Sequence, residues 1–209
     1  MKSSIHFFLI AFLLALPVLS LAQTVGNSKD VFERIKPRFP FEKGVIEYTI
    51  TGEAKGQSTL TFDRNGWRSK EIRNITFARY GIESTEKRME HKDGDQLYKV
   101  DLVNMRGSKN KENILINLLA YKEAEESRKL FYESKGGTLV GQDTILNYVC
   151  NKWEFNRGTI NLLWEYKGLP LKATHKLPGF AFTQEATIVK KQVELSADFW
   201  KLPEGIAWK

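Results

Sequence analysis

The sequence predicts a mainly β, α+β protein in which a curved antiparallel sheet, an incomplete β-barrel, wraps a helical insertion. Three observations carry this. First, Thr159 to Leu177, TINLLWEYKGLPLKATHKL, reads as two strands joined at a Lys167-Gly168 turn. With that turn Tyr166 faces Leu169, Trp164 faces Leu171, Leu162 faces Ala173 and Ile160 faces His175, all on one side. Glu165 with Pro170, Leu163 with Lys172, Asn161 with Thr174 and Thr159 with Lys176 take the other side, the pattern of a sheet with one dry and one wet face. Second, roughly ten segments of strand character follow one another with hairpin signals between them. Third, one helical stretch, Glu112 to Lys135, interrupts the strands. A sheet of that size, dry on one side, must curl on itself or wrap a helix.

Taken in order, Met1 to Ala22 has the form of a secretory signal peptide. Lys2 supplies the positive start, Ile5 to Leu16 the apolar run, and Ser20-Leu21-Ala22 the small-residue cleavage site. Twelve helical residues span only about 18 Å against a hydrocarbon core of about 30 Å, so removal is favoured over a membrane anchor. Residues 23–43 form an N-terminal segment with a short helix at Asp30 to Ile35, ended by Pro37 and Pro40. Residues 44–209 form the single sheet domain, with the helical insertion near 112–135.

Within that domain Val45 to Thr51 alternates with Ile46, Tyr48 and Ile50 on one face, and Gln57 to Phe62 returns with Leu60 and Phe62. Asn65-Gly66 and Asp93-Gly94 are hairpin turns. Glu83 to Lys92 is a charged strand that suits a sheet edge, and it precedes the amphipathic strand carrying Tyr98, Val100 and Leu102. Arg106 to Lys111 reads as a polar loop. In the insertion, Ile114, Leu115, Leu118 and Leu119 make one apolar stripe, and Ala124, Ser127, Leu130 and Phe131 make another that does not continue it. Two helices, or one bent near Lys122, fit this, and Gly136-Gly137 is the stop. Pro170 marks a free edge or a bulge, because it cannot donate to a ladder. Thr138 to Phe155 and Phe180 to Leu195 supply the remaining strands.

The net charge of +7, or +6 without Lys2, favours anionic partners such as an envelope surface, but Lys and Arg are scattered among Asp and Glu without a basic block. No nucleic-acid motif is present. Cys150 is the single cysteine, so a disulfide within the chain is excluded and a small buried hydrophobe is its ordinary role. Beyond residue 22 the histidines are His91 and His175, without metal-ligand spacing. A Cys150–His175 pair would need a third group and an oxyanion hole that no motif supplies. Asp93-Gly94-Asp95 lacks the further oxygen ligands that calcium requires. The reading is therefore of a protein that is not an enzyme, with no catalytic residue, no metal site and no cofactor.

The export signal, the N-terminal helix and the meandering sheet with its helical interruption resemble the LolA/LolB-like periplasmic lipoprotein carriers. The segments Thr144 to Trp153, Trp164 to Lys172 and Leu202-Pro203-Glu204-Gly205 are closest to exported relatives described as outer-membrane lipoprotein-sorting-like. The resemblance implies an incomplete barrel around helices whose apolar concave face receives acyl chains. It supplies no residue-level carrier motif.

The candidate ligand-binding residues are the apolar face itself: Ile46, Tyr48, Ile50, Leu60, Phe62, Ile160, Leu162, Trp164, Tyr166, Leu169 and Leu171. If helices fill that concavity it is core; if it stays open it takes a lipid or the acyl chain of a lipoprotein. The expected function is an exported, non-catalytic lipid or acylated-protein binder in the periplasm, with outer-membrane association or secretion as alternatives. A closed-core envelope interaction module on the same scaffold is the competing function.

Overall fold

The computed structural model describes residues 35–79, 82–112, 117–119, 122–177 and 180–209. The signal-peptide reading and nearly all of the expected Asp30–Ile35 helix lie outside these residues.

The strands are β1 (Gly44–Gly52), β2 (Ala54–Asp63), β3 (Arg68–Arg79), β4 (Ile82–Asp93), β5 (Gln96–Asp101) and β6 (Arg106–Lys111) before the helix, α1 (Ala124–Ser134). After it come β7 (Gly137–Ile145), β8 (Tyr148–Phe155), β9 (Ile160–Tyr166), β10 (Leu169–Leu177), β11 (Phe180–Lys191) and β12 (Ala207–Trp208). Among the described residues they form one 12-stranded sheet in the order β12-β6-β5-β4-β3-β2-β1-β11-β10-β9-β8-β7. All neighbours are antiparallel except β12, which runs parallel to β6. The long return from β11 to β1 closes the two meanders into one curved surface. The result is the open, curved sheet around a helix that the sequence predicts.

Local sequence accounts for the turns. Lys167 and Gly168 both have positive φ, 50° and 91°, which is the mirror-image turn that matches strand twist. Asn65-Gly66 turns within a short 3-10 segment, Arg64–Gly66. The insertion breaks where the two apolar stripes part: residues 117–119 are helical, Glu123 is extended at ψ 148°, and α1 starts at Ala124. Ser127, fully buried, donates from Oγ to the Leu118 carbonyl at 3.0 Å and ties α1 to the preceding stretch.

Three expectations are corrected, two of them in the first half of the sheet. Arg106 to Lys111 is strand β6, not a loop: its backbone pairs with β5 although its side chains are nearly all polar. The charged strand β4 is not an edge but lies between β3 and β5. Its charges find cross-strand and near partners in the solvated part of the sheet, Glu90 with Lys99 at 3.7 Å and Arg88 with Glu86 at 2.9 Å.

The β9–β10 hairpin departs furthest from the expected register. Tyr166 faces Leu169 and Glu165 faces Pro170, but Leu171 is a bulge, so Trp164 faces Lys172, Leu163 faces Ala173 and Leu162 faces Thr174. A second irregularity at Asn161 restores Ile160 opposite His175. β11 pairs with β10 only from Lys172 onward, so Pro170 and the bulge sit where the two strands separate and no ladder bond is lost. The hairpin is consequently buried on both sides. Leu163 and Glu165, expected on the wet face, are 7% and 1% exposed.

Candidate functional site

The core divides along these strands. One cluster joins Ile46, Tyr48, Leu60 and Phe62 of β1 and β2 to Trp164, Leu169 and Leu171, with Leu162 and Tyr166 packed against it. Ile50 belongs to a second cluster with Ala54, Ile75 and Phe182. Ile160 belongs to a third, with Trp153, Leu163 and Ala173. The sequence-derived apolar set is thus brought together for the most part, as packed interior. Lys152 and Lys172 flank its hairpin end, their ammonium groups 5.1 and 5.3 Å from the Trp164 ring.

On the Glu165 side of the hairpin lies α1. Tyr132 sets its ring 5.0 Å from that of Trp153 and 6.1 Å from that of Phe155. Glu165 beneath it accepts from Asn151 Nδ2 at 3.0 Å, from Trp153 Nε1 at 3.4 Å and from the Gly168 amide. Burial raises its carboxyl above the ordinary range despite those donors.

Three openings converge here. A groove of about 430 Å³ runs along α1 and the ends of β8 and β9, lined chiefly by Phe131, Tyr132, Phe155, Ile160 and Leu163. Behind it a partly open cavity of about 260 Å³ is walled by Phe131, Tyr132, Ile160 and Leu163 again, with Leu60, Leu119, Phe39, Arg38, Lys92, Arg128, Glu71 and Glu90. Beyond that, a basin of about 650 Å³ over β3 to β6 is lined by Arg73, Arg88, Lys99, Arg106, Glu71 and Asp101 among others. Ile160 borders all three.

The floor between cavity and basin is polar. Glu71 accepts from Ser58 Oγ at 2.6 Å, Arg73 Nη2 at 3.0 Å and Gln184 Nε2 at 3.0 Å. Burial pushes this carboxyl up, but the Arg73 charge and these donors together hold it below the ordinary value. The concave surface is therefore apolar under α1 and charged under β3 to β6. Sequence reading did not find the charged half, because its residues come singly from separate strands of ordinary composition.

Residues 35–43 cap the cavity. Phe39 packs edge-on to Phe62 at 5.1 Å and its amide donates to the Asn65 carbonyl at 2.8 Å. Trp67 Nε1 donates to the Lys36 carbonyl at 3.3 Å. Between these anchors Arg38 reaches into the cavity, its guanidinium 5.2 Å from the Phe39 ring centre. Lys92 beside it pairs with Glu112, and burial followed by the Arg38 charge brings its ammonium down to about 8.

No family model matches the chain, and no curated protein matches it. Among solved structures it is similar to an uncharacterised conserved protein from Thermus thermophilus, at 9% identity and a TM-score of 0.45, over 87% of this chain and 99% of that one. It is similar to PNGF-II at 15% identity and a TM-score of 0.44, over 80% of this chain but only 31% of that one. A domain described as a putative outer membrane lipoprotein-sorting protein from Vibrio parahaemolyticus aligns at 7% identity and a TM-score of 0.33, over 83% of this chain and 94% of that one. At these scores no function passes from any of them to this chain.

The residues with nucleophilic or basic chemistry are held as structure. Cys150 is fully buried, donates toward the Tyr148 carbonyl at 3.4 Å, and burial pushes its thiol up to about 11. His175 is 8% exposed and stacked on Phe182 at 4.4 Å; burial, then the Arg73 charge, lowers it to about 4. Its β10 position places it on the basin wall. His91 stacks on Tyr98 at 5.8 Å and bonds the Ser69 carbonyl at 3.1 Å. Among the described residues no group of three His, Cys, Asp or Glu is placed to hold a metal ion. No helix of the described residues is long and apolar enough to cross a membrane.

Proposed function

We propose that this protein is an exported, non-catalytic binder of a lipid or of the acyl chain of a lipoprotein, and that the chain enters between α1 and the β8–β9 ends. The observation that carries this reading is the sharing of Phe131, Tyr132, Ile160 and Leu163 by the groove and the cavity. The same side chains wall an apolar opening on the surface and a second, partly open space behind it. Of the residues nominated from sequence, Leu60 and Ile160 border this space, and they are the ones assigned to ligand contact. The others, from Ile46 to Leu171, support it as core.

Energy sets the kind of binder. Each methylene buried from water contributes about 0.8 kcal/mol, so a long chain gains on the order of 10 kcal/mol over water. It gains almost nothing over a bilayer. Such a protein holds a chain that another component hands over, and it works in the cell envelope, where acylated cargo is found.

Native mass spectrometry and lipid extraction on protein taken from its own envelope test the reading. A bound fatty acid, phospholipid or lipopeptide is the expected result, with occupancy reduced by Ile160→Trp, which fills the junction. A protein that emerges bare and also ignores added acyl chains sinks it. The competing reading, an envelope interaction module, has one specific observation behind it: β7 is an edge strand with Leu139 and Val140 nearly half exposed. On that reading the unaltered protein binds no acyl chain, and charged substitutions at those two positions abolish co-purification of a partner.

A further inference from the structure

We infer that the ligand is a single-chain amphiphile with an anionic head group, a carboxylate or a phosphate monoester, and that the head pairs with Arg38 inside the cavity. The inference rests on the acyl-binding reading and adds the chemistry of the ligand's other end.

Arg38 Nη1 is buried and has no hydrogen-bond partner in the structure. The backbone that carries it is held in place. Its own carbonyl oxygen abuts Gly168, where φ is +91° and a side chain would collide with it, and the flanking Lys36 carbonyl and Phe39 amide are both engaged. A guanidinium nitrogen left without an acceptor in a low-dielectric setting is costly, which is why burial lowers the Arg38 pKa.

The charges around it leave an anion missing. Glu112 and Glu90 are the carboxylates whose fields reach Arg38. Glu112 is taken by Lys92, and Glu90 lies 3.7 Å from Lys99. Glu71, on the same wall, is taken by Arg73, Ser58 and Gln184. Among the described residues Arg38 and Arg128, both bordering the cavity, form no ion pair. The surplus charge in the cavity is positive. A carboxylate or phosphate supplies an acceptor for Nη1 and a countercharge at once, and the planar guanidinium fork suits either in bidentate form.

The rest of the ligand follows from the walls. From Arg38 the apolar path runs past Leu163 and Ile160 and leaves between Phe131 and Phe155. Spaces of about 260 and 430 Å³ suit one chain, and together they fall within the range of about 300–1,000 Å³ usual for small-molecule sites.

Equilibrium dialysis of the purified, delipidated protein against palmitate, hexadecanol and palmitoyl lysophosphatidic acid, each below its aggregation threshold at pH 7.5, tests this. At least one of the two anions binds about ten-fold or more tightly than the alcohol, and which one names the head group. Arg38→Gln removes that preference and Arg38→Lys retains part of it. Equal binding of alcohol and acids by the unaltered protein overturns the anionic head and leaves acyl binding standing. A preference lost in Arg88→Gln, in the basin, and kept in Arg38→Gln overturns the placement. Binding of none of the three overturns the acyl reading itself.

Discussion

The Tyr48 hydroxyl donates to the Pro170 carbonyl at 2.7 Å, across the intervening strand β11, where its partner position is the small Ala186. The bond fixes β10 at the residue before its bulge. Tyr48→Phe removes the donor and leaves a buried carbonyl, so stability falls by about 1 kcal/mol. Urea unfolding of the two proteins measures it; equal midpoints would mean the carbonyl finds another donor.

The cap over the cavity depends on Gly66. Its φ is +84°, and a methyl group there would overlap the Phe39 ring. Gly66→Ala should cost about 2 kcal/mol from strain and displacement together. Because Phe39 borders the cavity, acyl binding should weaken in the same variant, whereas a change confined to stability would separate the cap from the site.

His175 makes stability sensitive to acid. Its folded pKa of about 4 lies below the ordinary 6.5, so between those values the unfolded chain binds more protons. Its contribution is complete above pH 6.5 and is lost as pH falls toward 4. The loss is on the order of 3 kcal/mol. His175→Asn should flatten the difference between stability at pH 7 and at pH 4.5 relative to the unaltered protein; parallel curves would place the titration elsewhere.

Cys150 should behave as an inert thiol. Fully buried and with its pKa pushed up to about 11, it should react with a disulfide reagent only as fast as the protein unfolds. Rapid labelling of the folded protein at pH 7 would contradict its position between β7 and β9.

Much of this architecture is legible in the chain because turns carry local chemistry. Lys167-Gly168, Asn65-Gly66 and the break before Ala124 follow from residues that tolerate positive φ or from apolar stripes that fall out of phase. Strand β6 left no such trace, since its ladder is made by backbone groups that any residue supplies. The bulge at Leu171 is equally silent: one extra residue changes which neighbours meet without changing composition. That is why the alternation pairs Trp164 with Leu171 rather than Lys172, and why it places Leu163 and Glu165 on the solvated side. Arg38 has no sequence signal at all. Its isolation is a property of the residues that converge on it from β4, α1 and the hairpin turn.

The opposed bulges at Leu171 and Asn161 have a consequence for chain length. Each strand carries one residue that its partner does not count, and the two surpluses cancel, so the pairs at either end, Tyr166 with Leu169 and Ile160 with His175, sum to the same register. Removing either residue alone would straighten the ladder at that point and leave the pairs on both sides of it as they are, Trp164 with Lys172 and Leu162 with Thr174 included. Removing both would leave every existing pair in place on a straighter ladder. Within this hairpin, then, length is free to vary at the two unpaired residues, each independently of the other.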